Sequence, residues 1–235
     1  MFARCDDCEM VFDAQDPQRV ADHWRAHERA MVGLPVPTHA VPHVLAAAER
    51  ITGGLAVVHA VAGGNDVLRR LAWDAAMLAG SMDGSKTMFD GGEHDEAAEA
   101  RAIMAVANTP STTETGLHVV GLLVTRRKTH RVRVRWRAGQ VVDQRVIVDE
   151  ERPNIMTYCE PVESPDMIEA PTCSIDYVWT HRAHRRRGIA RALVDAEILS
   201  QNLDVNAGLT WMHPFLSSAG ASLAYRYNQQ EFWLS

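Results

Sequence analysis

The chain has 235 residues, 46% of them hydrophobic, enough for one full core and a small appendage. Its formal net charge of -6 argues against indiscriminate binding to nucleic acid, so any contact with a polyanion must be local. No apolar run is long enough to span a bilayer, and the opening MFARCDDCEM lacks the apolar segment of a secretion signal. The expected setting is therefore intracellular and away from membranes, cytoplasmic or, in a eukaryote, nuclear.

In such a setting the four cysteines read as metal ligands or free thiols before they read as disulfides. Cys5 and Cys8 form C-x2-C, and after fourteen intervening residues His23 and His27 form H-x3-H. Structural zinc takes four N/S ligands in a tetrahedron; a knuckle supplies one pair here and one face of a helix the other. Met10, Phe12, Val20 and Trp24 are expected to form the small core that the metal completes. The bland alternative is two reduced thiols and two unrelated histidines. A single finger covers only about 3 bp of DNA, so docking or domain packing is its expected task. Residues 1–32 are assigned to the finger and 33–235 to the main domain.

Gly33 to Thr38 reads as a proline-containing linker. A brief helix is predicted from Pro42 to Ile51, stopped at Gly53-Gly54. Leu55 to Val61 follows as a strand, and then a helix capped by Asn65 or Asp66 and running to about Ala79. Val67, Leu68, Leu71, Met77 and Leu78 would form its core face. Ser81 to Gly92 reads as a loop, and Glu93 to Ala107 as an acidic, alanine-rich helix. There His94, Asp95, Glu96 and Glu99 are taken as solvated acids at a positive helix end rather than a metal cluster.

His118 to Thr125 is predicted as a strand. Arg126 to Arg137 then carries seven lysines and arginines and no acid. Arg131, Arg133, Arg135 and Arg137 alternate with Val132, Val134 and Trp136, which places them on one strand face. A solvated sheet face is one reading; a surface for an acidic partner, nucleic acid included, is the other. Gln140 to Val148 would close a hairpin through Ala138-Gly139, and Pro153 to Pro171 reads as irregular. Leu209 to Trp211 is a further strand, Ser218 to Tyr227 a helix and Glu231 to Leu234 a last strand.

The chain is organised around Cys173 to Ser200. A β-prone run, Ile175 to Thr180, enters a very basic turn and then a helix with apolar Ile189, Leu193, Ala196 and Ile198/Leu199. Within the turn, Arg185-Arg186-Arg187-Gly188-Ile189-Ala190 fits R-x-x-G-x-A. Backbone N–H groups at a helix start, the macrodipole and permanently charged arginines together suit a diphosphate. Gly188 and the small Ala190 let the backbone approach it. A basic helix start that faces solvent or DNA has no need of Gly and Ala at those places.

This turn resembles the pantetheine-pyrophosphate turn of the GNAT acetyltransferases. With the N-terminal finger, the chain resembles the sister-chromatid cohesion acetyltransferases, GNAT enzymes that modify lysine on the cohesin ring. Further resemblances lie in His118 to Val124, Tyr158 to Pro171, Val178-Trp179-Thr180 and the stretch Trp211 to Tyr227 with Gly220, Leu223-Ala224 and Tyr227. Asp176 stands where the family has a serine, and His213 where it often has Asp or Gln before a proline. The resemblance implies an α/β (α+β) GNAT fold, a mixed central sheet flanked by helices, with acetyl-CoA held by Val178, Trp179, Thr180 and the run Arg185, Arg186, Arg187, Gly188, Ile189, Ala190 and Arg191. Structural Zn2+ would sit on Cys5, Cys8, His23 and His27.

Acetyl transfer to an amine needs a base, because a lysine ammonium has a pKa near 10.4. The acidic position resembling the family's catalytic Glu is Asp195; Asp176 is favoured by its place beside the strand, and Glu197 and His213 are further candidates. Backbone N–H groups around Val178 to Thr180 would polarise the thioester carbonyl, and Tyr227, or else Tyr225, would protonate the thiolate. Three functions stay open: a protein-lysine acetyltransferase, a small-molecule or modified-nucleobase amine acetyltransferase, and a degenerate GNAT fold that binds protein or nucleic acid. The intact turn argues against the third, and the finger favours a macromolecular substrate.

Overall fold

The computed structural model describes residues 2–8, 10–51, 55–60, 64–83, 100–109, 115–137, 158–161, 168–204, 209–211, 218–227 and 231–234. The acidic cluster at His94 to Glu99, the strand expected over Gln140 to Val148 with its Ala138-Gly139 turn, and His213 lie outside them. The chain forms two compact units, Met1–Leu122 with Trp179–Leu193, and Leu123–Val178 with Val194–Ser235. The fold is mixed α/β, with strands running in both directions and helices covering them.

The first unit opens with the hairpin of β1 (Phe2–Arg4) and β2 (Val11–Asp13), paired antiparallel. Helix α1 (Pro17–Met31) starts where Asp16 accepts hydrogen bonds from the N–H groups of Gln18 and Arg19, at 2.9 and 3.3 Å, and Pro17 needs no donor partner. It stops where the N–H groups of Val32 and Gly33 both turn back to the Glu28 carbonyl. Gly33 has φ +140, and a side chain there would meet the Val119 carbonyl at 2.7 Å. Glycine is therefore required where the chain leaves the helix and crosses a strand backbone. Strand β3 (Leu34–Pro35) then pairs antiparallel with the first residues of β7 (Leu117–Arg137).

Helix α2 (Val41–Ala47) is shorter than the helix predicted to Ile51, because β4 (Ala48–Ile51) peels away and pairs antiparallel with β5 (Leu55–Ala60). The Gly53-Gly54 pair, read as a helix stop, stands between two strands, which is also a hairpin signal. Helix α3 (Asp66–Asp83) is capped by Asn65, whose Oδ1 accepts from Val67 and Leu68; it carries Ser81 and Met82, which the sequence suggested were loop. Leu68 and Leu71 are buried as expected, but Met77 is 41% exposed. The buried face is finished instead by Ala72, Ala75, Ala76 and Ala79, small enough to bring α3 close to β5 and β6.

The largest departure from expectation is β6 (Arg101–Asn108), a strand where the alanine-rich composition suggested helix. It pairs with β5 from Leu55↔Ala107 to Ala60↔Ala102, and Ile103, Met104, Ala105, Val106 and Ala107 are all buried. Burial of consecutive residues requires cover on both strand faces. Small alanines satisfy that as well as they satisfy a helix, and the tertiary setting outweighs their helix propensity.

In the second unit, β7 continues as one strand through both segments read separately from sequence. Strands β8 (Tyr158–Pro161) and β11 (Glu231–Leu234) pair with it antiparallel. Strand β9 (Ile168–Thr180) neighbours β7, and β10 (Leu209–Trp211) runs parallel to β9 at Cys173 to Ile175. The stretch read as irregular thus contributes two strand segments; Pro161 ends β8, and Pro171 lies near the start of β9, a place where a missing donor is tolerated. Helices α4 (Ile189–Gln201) and α5 (Ser218–Tyr227) match their sequence expectations to within a residue. No helix among the described residues is long and apolar enough to cross a membrane.

Gly121 on β7 decides how the head of α4 packs. A Cβ there would stand 2.7 Å from Ile189 Cγ2, 3.2 Å from Leu193 Cδ1 and 3.3 Å from Ala105 Cβ. Gly121→Val is expected to destabilise the chain by about 1–3 kcal/mol, read as a lower urea midpoint at unchanged slope. An unaltered midpoint would mean that the helix is not seated on the strand backbone.

Candidate active site and metal centre

The four finger residues converge as their spacing predicts. One ligand atom from each of Cys5, Cys8, His23 and His27 lies within 4.8 Å of the other three. Cys5 Sγ is 3.3 Å from His27 Nδ1, and Cys8 Sγ is 3.5 Å from His23 Nε2. A tetrahedron with Zn–S near 2.3 Å and Zn–N near 2.0 Å has S···N edges of roughly 3.5 Å, so the donor set and its spacing both fit zinc. The Cys5 thiol is lowered below its usual pKa, chiefly by hydrogen bonding from the Cys8 backbone, which favours the thiolate that a metal binds.

The filler residues behave less uniformly. Phe12 stacks flat on His23 with ring centroids 4.0 Å apart, and Val20 is half-buried. Met10 and Trp24, expected inside, are 40% and 58% exposed, so the apolar core of the finger is minimal.

The basic turn sits in the first unit between the end of β9 and the head of α4. Arg186 and Gly188 have φ of 65 and 79, two left-handed residues two apart, in a tight bend of the kind that gathers successive N–H groups toward an anion. Among the described residues, nothing lies within 4 Å of where a Gly188 side chain would begin. The glycine is thus demanded by conformation, not by packing against its own chain. Arg185, Arg186, Arg187 and Arg191 are exposed, Ala190 is half-buried and Ile189 is buried. At the strand end, the indole N–H of Trp179 and the hydroxyl of Thr180 are buried without a hydrogen-bond partner among the described residues. Open space, a helix start and orphaned donors beside it fit a diphosphate-bearing thioester.

Two histidines that sequence reasoning passed over shape this turn. His181 Nε2 bonds the Arg29 carbonyl at 3.1 Å, and His184 Nε2 bonds the Val32 carbonyl at 3.0 Å. Between them, Arg182 Nε donates to the Ala30 carbonyl at 3.1 Å. The sequence shows them only as part of a basic run; no spacing rule ties them to residues 152 positions earlier. Burial lowers the pKa of His181 to about 4 and also lowers that of His184, so both are neutral at pH 7.

The second unit places Asp195 and Tyr227 together: the phenol hydroxyl donates to Asp195 Oδ1 at 2.6 Å, linking α4 to α5. The Asp176 side chain is fully buried and ion-paired with Arg126 at 2.9 Å, and it accepts from Ser174 Oγ. Arg126 is therefore committed internally rather than offered to a partner. Glu197 is buried and accepts from Thr125 Oγ1 at 2.7 Å, Gln201 Nε2 at 2.6 Å and Ser200 Oγ at 3.0 Å, a network that occupies its oxygens. The Tyr225 side chain, like His213, lies outside the described set.

Residues 169–235 match the model of the ESCO1/2 acetyl-transferase family. Over these residues the chain is similar to an acetyltransferase family. That match spans every cofactor-turn and catalytic candidate named above and leaves the finger outside it. The chain is similar in structure to the xEco2 acetyltransferase domain bound to a K105-CoA conjugate, at TM-score 0.56 and 18% identity, over 79% of this chain and 94% of that one. A second structure of the xEco2 acetyltransferase domain gives TM-score 0.55 and 17% identity over 80% and 94%. No curated protein sequence matches this chain.

Two measurements follow from this geometry. Protein purified without chelators is expected to hold about one zinc equivalent by elemental analysis, and Cys8→Ala to hold none; finding no metal in the unsubstituted chain would remove the finger. His181 binds its proton near pH 6.5 when unfolded but near 4 when folded. Between those values the unfolded chain holds the extra proton, so stability should fall as pH drops from about 6.5 to 4. Urea midpoints at pH 7 and 5 test this, with His181→Gln flattening the difference.

Proposed function

We propose that the chain transfers the acetyl group of acetyl-CoA directly to a lysine amine of a protein, with Asp195 as general base and Tyr227 as proton donor to the departing thiolate. The 2.6 Å hydrogen bond between Tyr227 and Asp195 carries the reading. A phenol near pKa 10 is a weak acid alone; paired with a carboxylate that gains a proton during the reaction, it becomes a relay.

The lysine ammonium gives one proton to the Asp195 carboxylate, and the neutral amine attacks the thioester carbonyl. The oxyanion is stabilised by backbone N–H groups around Val178, Trp179 and Thr180. As the C–S bond breaks, the CoA thiolate takes the Tyr227 proton, Tyr227 recovers one from Asp195, and the second amine proton leaves to solvent. Arg185 to Arg191 hold the diphosphate. Asp176, neutralised by Arg126 inside the sheet, is left the task of fixing β7 to β9.

The lysine acceptor is supported by the similar xEco2 domain, solved with a K105-CoA conjugate in which K denotes lysine. The finger, structural zinc included, and the remaining arginines of Arg126 to Arg137 are assigned to a macromolecular and acidic partner, which fits an intracellular protein substrate. Residues 1–32 would act as the finger domain and 33–235 as the catalytic domain.

Asp195→Asn and Tyr227→Phe should each lower kcat by about 10²–10⁴ while the Kd for acetyl-CoA, read by calorimetry, stays as it was. Gly188→Glu should abolish acetyl-CoA binding, since the added side chain occupies the ligand's space, and should also lower stability because a side chain at φ +79 is strained; circular dichroism checks that the fold is kept. An unchanged Kd in Gly188→Glu removes the turn from the site. Acetyl groups appearing on the chain's own lysines, read by intact mass after incubation with acetyl-CoA, would favour a protein acceptor over a small amine.

A further inference from the structure

The finger and the cofactor turn meet within the first unit, through the last carbonyls of α1. A helix leaves its final C=O groups without internal donors. In α1 both capping N–H groups, of Val32 and Gly33, go to the single carbonyl of Glu28, so the carbonyls beyond it must be met from outside. They are met from the four residues that precede the arginine turn: His181 to Arg29, Arg182 to Ala30, and His184 to Val32. The zinc ligand His27 lies two residues before the first of these carbonyls.

The partners also assign the tautomers. A carbonyl only accepts, so Nε2 carries the proton in both rings and Nδ1 is left to accept. In His181, Nδ1 takes the Ala183 N–H at 3.3 Å; in His184, Nδ1 takes Arg187 Nη1 at 3.2 Å. One imidazole thus holds the end of α1 with one nitrogen and an arginine of the cofactor turn with the other. Neither ring can exchange these partners for water, since His181 is 0% and His184 6% exposed.

We infer that His181, Arg182 and His184 are positioning residues that seat the cofactor turn on a helix held by the metal, so that zinc in the finger strengthens acetyl-CoA binding. The inference rests on the acetyl-CoA reading of the turn given above. With Trp24 58% exposed and Val11 61% exposed, little apolar burial would hold the hairpin against α1 once the metal is gone. Glu28 is tied separately to the buried His118 at 3.1 Å, which keeps α1 attached and makes the effect graded. Coupling between two ligands is reciprocal: whatever factor zinc adds to acetyl-CoA affinity, acetyl-CoA adds to zinc affinity.

The test uses the full chain. Acetyl-CoA is titrated calorimetrically into zinc-loaded and chelator-stripped protein, and zinc affinity is measured against a chromophoric chelator with and without acetyl-CoA. Zinc is expected to tighten acetyl-CoA binding about tenfold, within the usual range of 5–150-fold, and the reverse factor should match. Hydrogen exchange at residues 185–190 should quicken when zinc is removed. Arg182→Ala, which keeps every zinc ligand and the whole turn, should weaken acetyl-CoA binding by about two- to tenfold at full zinc occupancy. Equal Kd values for folded stripped and loaded protein overturn the inference. Should stripping unfold the chain, an unchanged Kd in zinc-loaded Arg182→Ala overturns it. Failure of zinc-loaded, unsubstituted protein to bind acetyl-CoA overturns the proposed function instead, and hydrogen exchange of the turn on zinc removal still reads the mechanical link.

Discussion

Helix termini must find partners, and in the first unit that requirement determines much of the arrangement. The last carbonyls of α1 are satisfied by side chains from a turn about 150 residues later in sequence, and the backbone N–H of His181 is spent on the Val120 carbonyl of β7. Finger helix, sheet and turn are thereby tied by directional bonds, and for the two buried histidines an unmade hydrogen bond would be costly. A basic loop of this composition would otherwise have every reason to spread into solvent. Here His181 and His184 are drawn inward and Arg185, Arg186 and Arg187 are left outside, which separates the residues that shape the turn from those that can meet an anion.

The acidic residues of the second unit are sorted by the same physics. Asp176 is cancelled by Arg126, and Glu197 is saturated by hydroxyl and amide donors, so each is stable only as part of the scaffold. Asp195 is half-buried and accepts a hydrogen bond from a phenol, a group that both shares and gives up protons. Asp176 and Glu197 thus differ from Asp195 in what they touch, not in where they fall in sequence.

Much of the site was legible in advance because its signals are local. C-x2-C with H-x3-H specifies four donors on a knuckle and a helix face, and those atoms do converge. R-x-x-G-x-A places a glycine where the backbone at a helix start must come close to a ligand, and Gly188 there has φ 79. The pairing of Asp195 with Tyr227 could be suspected only through resemblance, since 32 residues separate them. The roles of His181 and His184 left no trace at all, because an imidazole in a basic run looks the same whether it faces water or caps a distant helix.

The errors follow the same division. Residues 101–107 were read as helix from their alanines, yet they lie in the middle of a sheet between β5 and β7; residues 48–51 were read as helix and became a strand because β5 was there to pair with. The sequence alone determined the convergence of Cys5, Cys8, His23 and His27, the glycine turn at Gly188, and the helices α1, α3, α4 and α5, which are set by motif spacing and by contacts near in sequence. Tertiary structure decided which alanine-rich stretch became a strand, which carboxylates were neutralised, and which side chains closed the end of α1. Those outcomes depend on hydrogen bonds and burial between residues far apart in sequence, whose energies exist only once the chain has closed on itself.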